Sequence, residues 1–154
     1  MSQQSKLVTI LVAEDDADDR MLLKDAFSES SLVNELRFVE DGEQLLAYLR
    51  REGEYADPGR APIAGLILLD LNMPKMDGRE ALTIIKNDAV LRSIPVVVLT
   101  TSAEEDDVFY AYRLGVSSYI SKPVTFEGLV NVVKVLNAYW LEVVELPPEQ
   151  TAIA

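Results

Sequence analysis

The chain has 154 residues, 49% hydrophobic and 26% charged, with a formal charge of −12 and neither cysteine nor histidine. Length and mixture suit one globular domain with a proper core. The missing residue types exclude disulfides, thiolate chemistry, Cys- or His-built zinc sites and histidine acid–base catalysis, and the acidic balance argues against a phosphate-backbone ligand and for basic surfaces or cations.

Residues 1–6 are polar, expected to be loose, and lack the apolar core of a signal peptide; no stretch approaches the roughly 20 apolar residues that span a bilayer, so a cytoplasmic protein is expected. Leu7–Val12 is a β-branched run, read as a first strand, and it stops at Glu14-Asp15-Asp16. From Ala17 to Ser30, Leu22, Leu23, Ala26 and Phe27 recur on one helical face, with Asp18 and Asp19 in the first turn, where the dipole favours negative charge. Glu35–Val39 alternates as a second strand, and Gly42–Arg51 carries Leu45, Leu46 and Leu49 as a second helix. Gly53–Ala64 holds Pro58, Gly59 and Pro62 without periodicity and reads as a surface loop. A third strand over 65–70 is almost wholly apolar and ends on Asp70; a helix over about 79–88 follows with Ala81, Leu82 and Ile85. Pro95–Leu99 is a fourth strand closing on Thr100-Thr101-Ser102, and a fourth helix begins near Glu104 with four acids in its first turn and ends at Gly115. Ser118–Ile120 is a short fifth strand before Lys122-Pro123, and a fifth helix runs from about Thr125 to Asn137 or beyond. Five strands alternating with five helices predict an α/β fold, a doubly wound five-stranded parallel sheet in order 2-1-3-4-5 between two helical layers. One domain is expected over 7–146, with 147–154 as a tail.

In such a sheet, ligands and reacting groups sit beyond the carboxyl ends of the strands. Those ends present Glu14, Asp15 and Asp16, then Asp70 and Asn72, then Thr100 and Thr101, then Lys122. Each has a plain reading by itself: a helix-capping acidic turn, a loop-starting Asp, a hydroxyl on a strand-end amide, a surface lysine. Their joint appearance at four strand ends favours a site. Two carboxylates about 4 Å apart repel by roughly 4 kcal/mol at an effective dielectric near 20, so the cluster is favourable with a cation in it. Oxygen ligands completed by water suit magnesium, whereas calcium normally takes more protein oxygens. A metal and a lysine could then stabilise a phosphoryl group in transfer, with Asp70 as nucleophile.

Glu14-Asp15, Asp70 with Met73-Pro74-Lys75-Met76-Asp77-Gly78, Thr100 and Lys122-Pro123 resemble, in order and nearly in spacing, the receiver domain of two-component response regulators, over about residues 6–138. The resemblance implies a flavodoxin-like fold and a signalling protein rather than an enzyme. It makes Asp70 the phosphoacceptor for a partner histidine kinase, Asp15 and Asp70 magnesium ligands, Glu14 a ligand through water, and Asn72 a ligand through its backbone carbonyl. It makes Lys122 the phosphoryl partner, with a cis bond to Pro123, and Thr100 and Tyr119 a switch pair that remodels the face of the fourth helix, fifth strand and fifth helix.

The chain departs from the minimal pattern in two places. The Gly53–Ala64 loop adds about ten residues, a cost that loop-closure entropy keeps small. The fifth helix carries two apolar stripes, Phe126, Leu129, Val130, Val133 and Leu136 toward the core and Val132, Val135 and Tyr139 outward, and continues into Trp140-Leu141-Glu142-Val143-Val144. Phe109, Tyr110 and Tyr112 cannot all face the core, so a homodimer is expected through Phe109, Tyr112, Val132, Val135, Tyr139 and Trp140. The long loop and Tyr-Trp-Leu-Glu tail are similar to single-domain regulators serving bacterial phytochrome kinases. Among rival functions, an aspartyl-phosphate hydrolase generally needs an acid where Asn72 stands, and a flavin or nucleotide binder needs a phosphate-holding loop where Glu14-Asp15-Asp16 stands. A non-phosphorylated scaffold is the remaining alternative.

Overall fold

In the computed structural model, residues 9–29, 35–101 and 105–138 are described. Their elements are β1 (Thr9–Ala13), α1 (Ala17–Glu29), β2 (Glu35–Val39), α2 (Gly42–Arg50), β3 (Ala64–Leu69), α3 (Gly78–Lys86), β4 (Val96–Thr100), α4 (Glu105–Leu114), β5 (Ser118–Ser121) and α5 (Phe126–Leu136). The strands are all parallel and stand in the expected order β2-β1-β3-β4-β5.

The central strands are apolar on both faces because helices cover both. Alternation splits their side chains: Leu11, Ala13, Ile67, Leu69, Val96 and Val98 meet α2, α3 and α4, whereas Ile10, Val12, Leu66, Leu68, Val97 and Leu99 meet α1 and α5. Caps set where the helices begin. Asp41 Oδ1 accepts from the Gln44 amide (2.8 Å), Asp77 Oδ1 from Glu80 (3.1 Å), and Thr125 Oγ1 from Gly128 (3.0 Å).

Several expectations need correction. Leu22 is 42% and Phe126 39% exposed, the first at the edge of its helix's buried face and the second as the opening residue of α5. Val132, expected on the outer stripe of α5, is half-buried against the α1 side of the core; Val135 is 65% exposed. The long loop is not featureless: it opens with a 3₁₀ turn at Gly53–Tyr55, and a second such turn, Leu91–Ser93, precedes β4. Tyr48 Oη donates to the Pro62 carbonyl (2.7 Å) and Arg51 Nη2 to that of Ala61 (3.0 Å), while the Tyr48 and Tyr55 rings pack at 5.3 Å. No described peptide bond is cis, so Lys122–Pro123 is trans, the form an unconstrained X–Pro bond prefers by about 0.5–1 kcal/mol. Residues 1–8, 30–34, 102–104 and 139–154, which include Tyr139, Trp140 and the tail, lie outside the described residues. Among the described residues, no helix is long and apolar enough to cross a membrane.

Candidate functional site

The sheet fixes the site residues through their backbones. The ladder continues one residue past the strands: Glu14 N donates to Val39 O (3.0 Å), Asp70 N to Ala13 O (3.1 Å) and Lys122 N to Thr100 O (2.8 Å). Gly78 brings α3 beneath this edge, since a Cβ there would lie 2.2 Å from the Asp70 carbonyl oxygen. Only glycine permits that approach.

Asp70, 6% exposed, is held at both oxygens. Thr100 Oγ1 (2.8 Å) and the Asn72 amide (3.0 Å) donate to Oδ1, and Lys122 Nζ (2.9 Å) donates to Oδ2. Thr100 is fully buried. The same ammonium donates to Glu14 Oε1 (2.5 Å) and Asp19 Oδ2 (3.0 Å). Burial works against the charge on Lys122, but hydrogen bonds to Glu14, Asp70 and Asp19 outweigh it and raise its pKa above the ordinary lysine value. Glu14 is 2% exposed, and burial pushes its carboxyl up to about 7 against the lowering effect of Lys122.

The acidic turn after β1 divides its work. Asp16 caps α1, its Oδ1 accepting from the Asp19 amide (3.0 Å), as the plainer sequence reading has it. Glu14 faces inward to Lys122, and exposed Asp15 offers an oxygen that lies, with those of Glu14 and Asp70, within 4.8 Å of one another. Arg20 braces this turn, donating to the carbonyls of Glu14 (2.9 Å) and Asp15 (3.0 Å). Three carboxylate donors beside one ammonium leave net negative charge at an all-oxygen site, which fits a hard divalent cation.

Asn72 is exposed; its amide faces Asp70 and its Oδ1 accepts weakly from Arg79 Nη2 (3.4 Å). Tyr119 is half-buried against the α3 side of the core, and its amide donates to Tyr112 Oη (3.2 Å). Parallel register pairs Tyr119 with Val98, so its ring and the Thr100 side chain lie on the same sheet face. The sequence reading missed Asp19 and Arg20 at the site and, outside it, the Arg79–Asp107 pair. Asp19 and Asp107 each have a sufficient local explanation in a helix's first turn, which conceals their long-range partners Lys122 and Arg79. Arg20 carries no sequence signal at all.

A family model for the response regulator receiver domain matches residues 10–134. The response regulator Rcp1 of Synechocystis sp. is 44% identical over 138 residues, 90% of this chain and 92% of Rcp1. The crystal structure of the phosphorylated cyanobacterial phytochrome response regulator RcpA superposes with a TM-score of 0.85 at 45% identity, covering 93% of this chain and all (100%) of that one. The Mn(2+)-bound form of Rcp1 gives 0.83 at 42% identity, covering 92% and 99%. Likeness of this extent, on a sheet of the same order and with the acidic turn, Asp70, Thr100 and Lys122 gathered at one edge, makes the chain a member of the response regulator receiver domain family.

Proposed function

We propose that the protein is a single-domain response regulator, one receiver domain over 7–146, that accepts a phosphoryl group on Asp70 from a sensor histidine kinase in the cytoplasm. The observation that carries this reading is the environment of one carboxylate: Asp70 is buried, with a hydroxyl on one oxygen and an ammonium on the other. In the transfer, an Asp70 carboxylate oxygen attacks phosphorus as the bond to the kinase's imidazole nitrogen breaks. That nitrogen leaves with the electron pair and is protonated from solvent. The donor histidine belongs to the partner, since this chain has none.

Lys122 then pairs with a phosphoryl oxygen while Thr100 turns its hydroxyl from Asp70 Oδ1 to another. Asp15 and Asp70 would ligate Mg²⁺ directly, Glu14 through water, and Asn72 by its backbone carbonyl. When bound, the cation neutralises charge gathering on the phosphoryl oxygens. Movement of Thr100 lets the Tyr119 ring turn inward, reshaping α4, β5 and α5 for protein contact. Likeness to Rcp1 and RcpA, the latter a phytochrome response regulator by name, points to a phytochrome-type kinase. Phe109 (66% exposed), Tyr112 (51%) and Val135 (65%) give the reshaped face an apolar surface suited to a homodimer, with Tyr139 and Trp140, next in the sequence after the described residues, proposed to join it.

Incubation with a small acyl phosphodonor and Mg²⁺, followed by intact mass, tests the chemistry. A phosphoryl-sized increase that disappears in Asp70→Asn is expected, and no increase in the native chain refutes the reading.

A further inference from the structure

Helix α4 has little apolar purchase on the rest of the protein. Among its described side chains only Ala111 is fully buried, whereas α3 buries Ala81, Leu82 and Ile85 and α5 buries Leu129, Val130, Val133 and Leu136. Polar contacts supplement that weak packing. Thr83 Oγ1 and Tyr110 Oη meet at 2.6 Å, the Tyr119 amide reaches Tyr112 Oη, and Arg79 grips Asp107 with Nε (2.7 Å) and Nη2 (2.6 Å). The first two join neutral groups. The Arg79 fork is charged and bidentate, on a carboxylate only 12% exposed, so it fixes orientation as well as distance.

The same guanidinium faces the Asp70 loop. Nη1 lies 3.4 Å from the Leu71 carbonyl and Nη2 3.4 Å from Asn72 Oδ1, the two residues that follow Asp70. Its neighbour Gly78 donates to the Leu71 carbonyl (2.9 Å) beneath the Asp70 backbone. The chain itself runs from Thr100 to α4 through residues 101–104, so the guanidinium is a second connection from the site to that helix, independent of Thr100. A shift of the Asp70 loop must either carry Asp107 along or release it.

We propose that the Arg79–Asp107 pair is the strut through which the Asp70 loop sets the position of α4, which makes Arg79 a positioning residue of the switch. The inference rests on the phosphoacceptor reading of Asp70. Beryllium fluoride with Mg²⁺, a stable phosphoryl mimic, supplies the probe, and hydrogen exchange of α4 amides with and without it supplies the measure. The native chain is expected to change α4 exchange about five- to tenfold on loading, the scale of a typical coupling between sites. In Asp107→Asn, an isosteric change remote from the reacting atoms, that difference shrinks toward one, while phosphodonor labelling of Asp70 proceeds at the native rate. Arg79→Gln gives the same loss of response. A structural role alone would raise α4 exchange equally in both states. An undiminished response in either variant overturns the strut. Failure of the native chain to label overturns the phosphoacceptor reading first, and the strut's role with it.

Discussion

Gly78→Ala tests how closely the site depends on the docking of α3. The added methyl would stand 2.2 Å from the Asp70 carbonyl oxygen and 2.7 Å from Leu71 Cα, whereas real Cβ contacts essentially never fall under 3.0 Å. Both neighbours are backbone, and no rotamer change relieves the overlap. The start of α3 and the Asp70 strand end must therefore part by roughly 1 Å in an interior packed at crystal density. Overpacking of this kind costs about 2–3 kcal/mol, which for a chain of this length lowers Tm by about 5–10 °C. A misplacement of about 1 Å at a reacting centre reduces rate by about a hundredfold, so phosphodonor labelling of Asp70 should fall one to two orders of magnitude. Gly53→Ala is the control: φ is +61° with nothing within 4 Å, so it should lose about 1 kcal/mol and label normally. Thermal unfolding and timed intact mass read both quantities. A Gly78→Ala protein that melts within a degree or two of native and labels at the native rate would refute the reasoning.

Lys122→Met removes the ammonium shared by Glu14, Asp19 and Asp70 and should destabilise the cation-free protein by about 3 kcal/mol. Millimolar Mg²⁺ should recover much of that in a urea titration, and equal losses with and without Mg²⁺ would count against a cation at this site. Tyr48 concerns the inserted loop and pH. Burial pushes its phenol up to about 12, so the folded chain keeps that proton after the unfolded chain has lost it near pH 10. Stability should therefore fall as pH rises from 10 to 12, and Tyr48→Phe should abolish that component while costing about 1 kcal/mol at neutral pH. Urea midpoints at pH 8 and 11 decide it. For assembly, a chain ending at Asn137 should lose dimer mass in light scattering, and an unchanged dimer would remove the tail from the interface.

The sheet was legible because its central strands are unbroken β-branched and aliphatic runs, and each stops at a polar or acidic residue. Boundaries moved by about a residue: Asp70 stands just past β3 rather than inside it, and Thr100 is the last residue of β4. The gathering of Asp70, Thr100, Lys122, Glu14 and Asp15 was legible for the same reason, since a known strand order turns strand ends into neighbours. What escaped was whatever depends on side-chain reach. Asp19 meets Lys122 across 103 residues of sequence, and Arg79 meets Asp107 across 28, with no periodicity to announce either. The outward stripe of α5 was half legible, because hydrophobicity does not distinguish Val132, covered by its own domain, from Val135, covered by nothing described.

The ladder bonds that run one residue beyond β1, β3 and β5 have a consequence for how such a protein can change. Glu14, Asp70 and Lys122 are positioned by their own amides, which donate to the strand-end carbonyls of Val39, Ala13 and Thr100, whereas the aromatic and aliphatic side chains open to other proteins stand on the rims of α4 and α5. On the proposed function, drift in the second group would alter who is addressed while leaving the reaction intact, and drift in the first would stop the reaction whoever is listening. A lineage can thus trade one correspondent for another by surface substitutions alone, with the same chemical signal passing unchanged beneath them.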